Sequence, residues 1–156
     1  MSIRTLQPER LWKEFYEICQ IPHPSKKEEK MIAYLQEFGK RHNLETRTDA
    51  AGNVLICKPA TPGYENRKKV ILQSHMDMVC EKNNDTQHNF DTDPIQPYID
   101  GEWVKAKGTT LGADNGIGMA TELAILASND LKHPALECLF TVDEETGLTG
   151  AFAIDP

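Results

Sequence analysis

Apolar positions along the chain fall first into a helical period. Leu11, Trp12, Phe15 and Ile18 share one face of a helix expected over Pro8 to Ile18, with Pro8 suited to its first turn. Ile21-Pro22-His23-Pro24 breaks that helix. A second is expected from Ser25, with Glu28 placed for a capping box, a buried stripe of Met31, Ile32, Leu35 and Phe38, and fraying near His42. The period then shortens. Leu44 to Thr48 and Asn53 to Lys58 read as strands joined by a turn at Ala51-Gly52. Lys69 to Gln73 is apolar enough for a strand buried inside a sheet. Glu81 to Pro94 is polar and irregular, and loops of that length are often functional. Tyr98 to Lys105 predicts a hairpin turning at Asp100-Gly101. A glycine-rich stretch, Gly108 to Gly118, leads into a helix through Ala127, and Leu136 to Val142 is a further apolar strand. Helices alternating with strands predict an α/β fold, a three-layer sandwich with a mostly parallel central sheet.

In such sheets, sites form outside the carboxyl ends of the strands. Three acidic or imidazole stations stand where a regular element should meet a loop, and His75 and Glu144 fall just past such strand ends. The first is His75 with Asp77. Residues two apart in extended chain point to the same side, so Asp77 can hold the second ring nitrogen of His75 and fix its tautomer. The second is Asp114 within Gly112-Ala113-Asp114-Asn115-Gly116, where the bland reading is a helix cap and the functional one a carboxylate held between two cations. The third is Asp143-Glu144-Glu145, where adjacent side chains diverge and one can bind a metal while the other moves a proton. Each station alone is a weak signal; the ordered set points to a hydrolytic metal centre.

Composition narrows the field. One domain's worth of chain, 156 residues, can bury a core. A net charge of −7 argues against nucleic acid and anionic membranes as partners. No apolar run reaches a membrane-spanning length. Four scattered cysteines, Cys19, Cys57, Cys80 and Cys138, read as reduced thiols and predict a cytoplasmic protein. His23, His42, His88 and His133 are assigned structural or surface places.

The ordered motifs resemble the N-terminal part of an M20-family metallopeptidase, where H-x-D, G-x-D-N/D-G and E-E follow in this order. Within that family the chain is most similar to the aminoacyl-histidine (Xaa-His) dipeptidases. The matching runs include Ile21-Pro22-His23-Pro24-Ser25, Ser74-His75-Met76-Asp77-Met78-Val79, Lys82-Asn83-Asn84-Asp85, Asp93-Pro94-Ile95-Gln96-Pro97 and Gly108 to Gly118. The resemblance implies two zinc ions, with manganese or cobalt as substitutes. It implies His75 as ligand of one zinc, Asp77 as its orienting residue, Asp114 as bridge, Glu144 as general base and Glu145 as ligand of the other zinc. It implies hydrolysis of dipeptides with C-terminal histidine, such as β-alanyl-histidine, by zinc-activated water, and allows a homodimer. Family members are roughly three times longer. Residues 1–156 are therefore expected to be the N-terminal part of a catalytic domain, without the second, lid domain and the remaining ligands. That part alone is expected to be inactive. A related di-zinc aminopeptidase or deacylase, and a catalytically silent chain, are the alternatives.

Overall fold

The computed structural model describes residues 2–154. Two helices come first, α1 (Glu9–Cys19) and α2 (Glu29–Arg41). Strands β1 (Glu45–Thr48), β2 (Val54–Lys58) and β3 (Val70–His75) follow. A hairpin of β4 (Pro97–Asp100) and β5 (Trp103–Ala106) precedes α3 (Ala113–Leu126), β6 (Leu136–Thr141) and the short α4 (Thr149–Phe152). The expected helices, the β1–β2 turn and the hairpin at Asp100-Gly101 are present. Residues Glu81 to Pro94 form no regular element beyond an isolated bridge from Lys82 to Thr109.

The α/β class is as the pattern predicts, but the sheet is mixed rather than mostly parallel. Its order is β1-β2-β6-β3. β1 with β2 and β2 with β6 are antiparallel; only β3 with β6 is parallel. The reason is local. A short turn can only return β1 to β2 antiparallel, whereas β3 and β6 are separated by a crossover long enough to bring the chain back in the same direction.

One face of the sheet carries the core. Val54, Ile56, Cys138 and Phe140 are fully buried there, paired across β2 and β6 as Val54 with Phe140 and Ile56 with Cys138. Met31, Leu35 and Phe38, on successive turns of α2, complete it. Helix α3 lies between α1 and β3. Gly116 meets Phe15 and Ile18 of α1, and Gly118 meets Ser74 of β3, so small residues on both sides of α3 permit close approach. The opposite face pairs Leu55 with Leu139 and Ile71 with Glu137. Ala153 and Ile154, after α4, lie beside Leu55 and Leu139 there. β3 is an edge strand, and Ile71 is 62% exposed. The expectation that the apolar run Lys69 to Gln73 lies inside the sheet therefore fails: Val70, Ile71 and Gln73 are exposed and Leu72 is half-buried, and burial begins only at Ser74 and His75 beyond the run.

Candidate metal centre

The single parallel pair positions the site. His75 stands opposite Thr141 in register, so β3 and β6 end side by side at the same edge. His75 closes β3, and the chain leaving β6 reaches Glu144 and Glu145 within four residues. Asp114 arrives from the first turn of α3, where Asp114 and Asn115 depart from helical geometry and project from the helix end. Gly112 before them takes a left-handed φ of 71°, and a β-carbon there would stand 2.9 Å from Met78 Sδ.

His75 is 5% exposed. Its Nδ1 lies 3.0 Å from the Asp77 carbonyl oxygen and 3.3 Å from Asp77 Oδ1. A carbonyl oxygen only accepts, so Nδ1 carries a proton and donates. That leaves Nε2 facing the acids, 3.0 Å from Asp114 Oδ1 and 3.8 Å from Glu144 Oε2. Burial alone would lower the His75 pKa. Hydrogen bonds to Asp77 and Asp114 outweigh it and push the imidazole up to about 9.

Asp77 is 1% exposed and receives more than the histidine. Its Oδ1 accepts from the Glu144 amide at 2.9 Å, and its Oδ2 from the Ser25 hydroxyl at 2.7 Å and the Glu145 amide at 3.2 Å. Burial opposes ionisation, yet His75 and these donors hold the carboxyl well below the usual carboxylate range. One buried carboxylate thus ties the histidine to the backbone that carries the two glutamates.

His75, Asp114 and Glu145 each present a ligand-type atom, and the three atoms lie within 4.8 Å of one another. Two donors on a tetrahedral zinc with bonds of about 2.0–2.1 Å stand about 3.3 Å apart, close to the His75–Asp114 separation. Among the described residues, no lysine or arginine pairs with Asp77, Asp114 or Glu144; only His75 does. Glu145 has its pKa raised by partial burial and by Asp114, Glu144 and Asp77, against the lowering effect of His75. Carboxylates converging on one imidazole nitrogen without a basic counterion suit a divalent cation.

The five site residues read from the sequence are therefore brought together. Ser25 and Glu28 are the residues that reading missed. Ser25 does not cap α2: the helix begins at Glu29, and Glu28 at its N-cap makes no capping bond. Ser25 binds Asp77 instead, and Glu28 Oε1 accepts from the Asp143 amide at 2.9 Å. These partners lie far along the sequence, so no local pattern signals them. Cys80 is a free thiol whose pKa burial pushes up to about 11, in keeping with an unreactive side chain. His23 is buried with Nδ1 2.5 Å from the Ile21 carbonyl, a structural place as expected. No helix of the described residues is long and apolar enough to cross a membrane.

Comparison with known proteins places the chain in a family. The chain is 58% identical to the cytosol non-specific dipeptidase of Escherichia coli K12, over 98% of its own length and 32% of that protein. Its fold superposes on the crystal structure of aminoacylhistidine dipeptidase from Vibrio alginolyticus with a TM-score of 0.98 and 59% identity, covering 99% of this chain and 32% of that one. Aminopeptidase PepT from Bacillus cereus is more distant, with a TM-score of 0.77 and 27% identity over 96% of this chain and 40% of that one. The chain thus spans about a third of the length of the dipeptidases it matches. The family model for peptidase family M20/M25/M40 matches residues 71–154, more than half the chain and the whole stretch that bears the three stations. This chain belongs to the M20/M25/M40 peptidase family.

Proposed function

We propose that residues 1–156 supply the N-terminal part of the catalytic domain of a zinc-dependent dipeptidase. The observation that carries this is the convergence of His75 Nε2, Asp114 and Glu145 at the shared carboxyl edge of β3 and β6. In this reading His75, Asp114 and Glu145 are the residues of this chain that would hold the zinc ions. The nitrogen and oxygen donors would also accept manganese or cobalt. Bound metals supply a water of lowered pKa and polarise the peptide carbonyl.

The chain's own residues do the rest. Asp77 keeps the proton on His75 Nδ1, so Nε2 is free for the metal. Glu144, whose Oε2 stands 3.8 Å from Nε2, accepts the proton released by the attacking water and returns it to the leaving amine. These three ligands in all fall short of the three usual for each catalytic zinc. In this reading the further ligands, and a lid domain able to mediate a homodimer, belong to the rest of a polypeptide of the relatives' length, and residues 1–156 alone are inactive. The relatives' names, one for dipeptides in general and one for aminoacylhistidines, favour a small peptide substrate with Xaa-His among those accepted. The name of the E. coli relative and the four free cysteines favour the cytoplasm.

A panel of Xaa-His dipeptides, other dipeptides, aminoacyl amides and N-acyl amino acids, assayed with zinc and the complete polypeptide, tests the reading. Dipeptides are expected to be cleaved, and the Glu144→Gln variant to lose cleavage while retaining metal. Turnover of N-acyl amino acids alone would assign a deacylase instead. Preference for aminoacyl amides would assign an aminopeptidase.

A further inference from the structure

The segment between α1 and α2 has no assigned part in the chemistry, yet it is bonded to the candidate centre at several points. The Met78 amide donates to the His23 carbonyl at 3.1 Å, and Pro24 bridges to Met78. Ser25 donates its hydroxyl to Asp77 Oδ2 at 2.7 Å. Glu28, 6% exposed, accepts through one oxygen from the Lys26 amide at 3.0 Å and the Asp143 amide at 2.9 Å. The next two amides, of Glu144 and Glu145, go to Asp77. Three consecutive backbone N–H groups of the acidic loop are thus held by two buried carboxylates from elsewhere in the chain.

This anchoring has work to do. Asp143 sits at φ 48°, a left-handed conformation that non-glycine residues adopt only when something holds them there. The residues after it carry the general-base and ligand carboxylates, and their directions follow from the Asp143 backbone. We propose that Glu28, assisted by Ser25, is a positioning residue: it sets the Asp143–Glu145 backbone, and through it the places of the Glu144 and Glu145 carboxylates. This rests on the reading of Glu145 as a metal ligand. Glu28 acts as an acceptor, so the amide oxygen of a glutamine can take its place. The NH₂ of that glutamine would face Asp77 and Asp143, whose oxygens lie within 4.8 Å of Glu28. An alanine cannot substitute.

The test uses the complete polypeptide with Glu28→Ala, Glu28→Gln and Ser25→Ala, titrated with cobalt(II) and followed by visible absorption. Thermal unfolding in parallel establishes that each variant is folded. Glu28→Ala is expected to weaken cobalt binding about 10–100-fold, the usual effect of removing a residue that orients a ligand. Glu28→Gln is expected to stay within about 3-fold of the unmutated protein, and Ser25→Ala to fall between them. Exchange of the Asp143, Glu144 and Glu145 amide protons, measured without metal, should accelerate in Glu28→Ala and not in Glu28→Gln. Equal cobalt affinity and equal exchange in all variants would overturn the proposal, as would a Glu28→Gln as impaired as Glu28→Ala. If the unmutated protein takes up no cobalt, the metal-site reading fails. The exchange rates then decide the positioning role alone: faster exchange confined to Glu28→Ala supports it, and equal rates overturn it.

Discussion

Replacing Asp77 by asparagine changes almost no volume and removes one charge, so its effect isolates what the carboxylate accepts. Four donors converge on Asp77: His75 Nδ1 and the Glu144 amide on one oxygen, the Ser25 hydroxyl and the Glu145 amide on the other. An asparagine has a single acceptor oxygen and can serve one pair. The Ser25 hydroxyl can rotate and accept from the new NH₂, but a backbone N–H cannot reverse. One of the two glutamate amides then faces a donor. A buried donor left unpaired costs about 1–3 kcal/mol, and the surviving bonds fall from charge-assisted to neutral, at about 1 kcal/mol. Both amides are only part-buried, so water offsets some of this. Relief of the desolvated charge offsets more, and about 2 kcal/mol of destabilisation remains. In a chain of this length that lowers Tm by about 4–8 °C, short of unfolding a protein with ordinary stability. Urea unfolding should show a lower midpoint with an unchanged m value. Zinc affinity should fall about 10–100-fold, because His75 loses the group that fixes its tautomer. A midpoint shift equivalent to less than about 0.5 kcal/mol, together with unchanged zinc affinity, would refute the claim that Asp77 ties the site together.

Glu122 provides a pH test. It is 3% exposed on α3, and one of its oxygens has no hydrogen-bond partner. Burial pushes its pKa up to about 7, against the lowering influence of Ser74 and Cys138. The unfolded chain ionises Glu122 near pH 4.5 while the folded chain keeps it protonated to about 7. Stability should therefore fall as pH rises through that window, by up to about 3 kcal/mol. The fall should be missing from Glu122→Gln, so that its Tm difference from the unmutated protein changes steadily from pH 4.5 to 6.5, below the range in which the contribution of His75 is lost. Gly150→Ala should cost about 1–3 kcal/mol in chemical denaturation, because the new carbon would sit 2.4 Å from the Val142 carbonyl and 2.5 Å from Asn53 Oδ1. Phe140→Ala empties a fully buried site between β6 and the helices and should cost about 3–5 kcal/mol by the same measurement.

Much of this architecture is local in origin and therefore legible in the sequence. The i, i+4, i+7 spacing of Met31, Leu35 and Phe38 marks the buried stripe of α2, and Asp100-Gly101 marks the hairpin. His75, Asp77, Asp114, Glu144 and Glu145 stand out because metal-type side chains directly follow apolar runs or a glycine-rich turn. Properties set by distant segments were not legible. Val70-Ile71-Leu72 reads as interior because it is apolar, but β3 is an edge strand and Ile71 faces away from the helices. Strand order depends on where β6 inserts, between β2 and β3, and no local pattern encodes that. Ser25 and Glu28 fit a capping box by spacing. Ser25 bonds instead to a residue 52 positions away, and Glu28 to the Lys26 amide and to an amide 115 positions away, and those partners outcompete the cap. Glu122 is one acid in an apolar helix, and which side of α3 it occupies is decided by the packing of α3 between α1 and β3.

The central claim is that His75 Nε2 binds a divalent metal beside Asp114 and Glu145 while Nδ1 keeps its proton and donates a hydrogen bond to Asp77. Nitrogen-15 NMR of the His75 ring during zinc titration tests it most directly. The account predicts that Nε2 shifts to a metal-ligated value, that Nδ1 retains its proton, and that Glu145→Ala weakens the response. A His75 ring unchanged at saturating zinc, or one that binds through Nδ1, would contradict it.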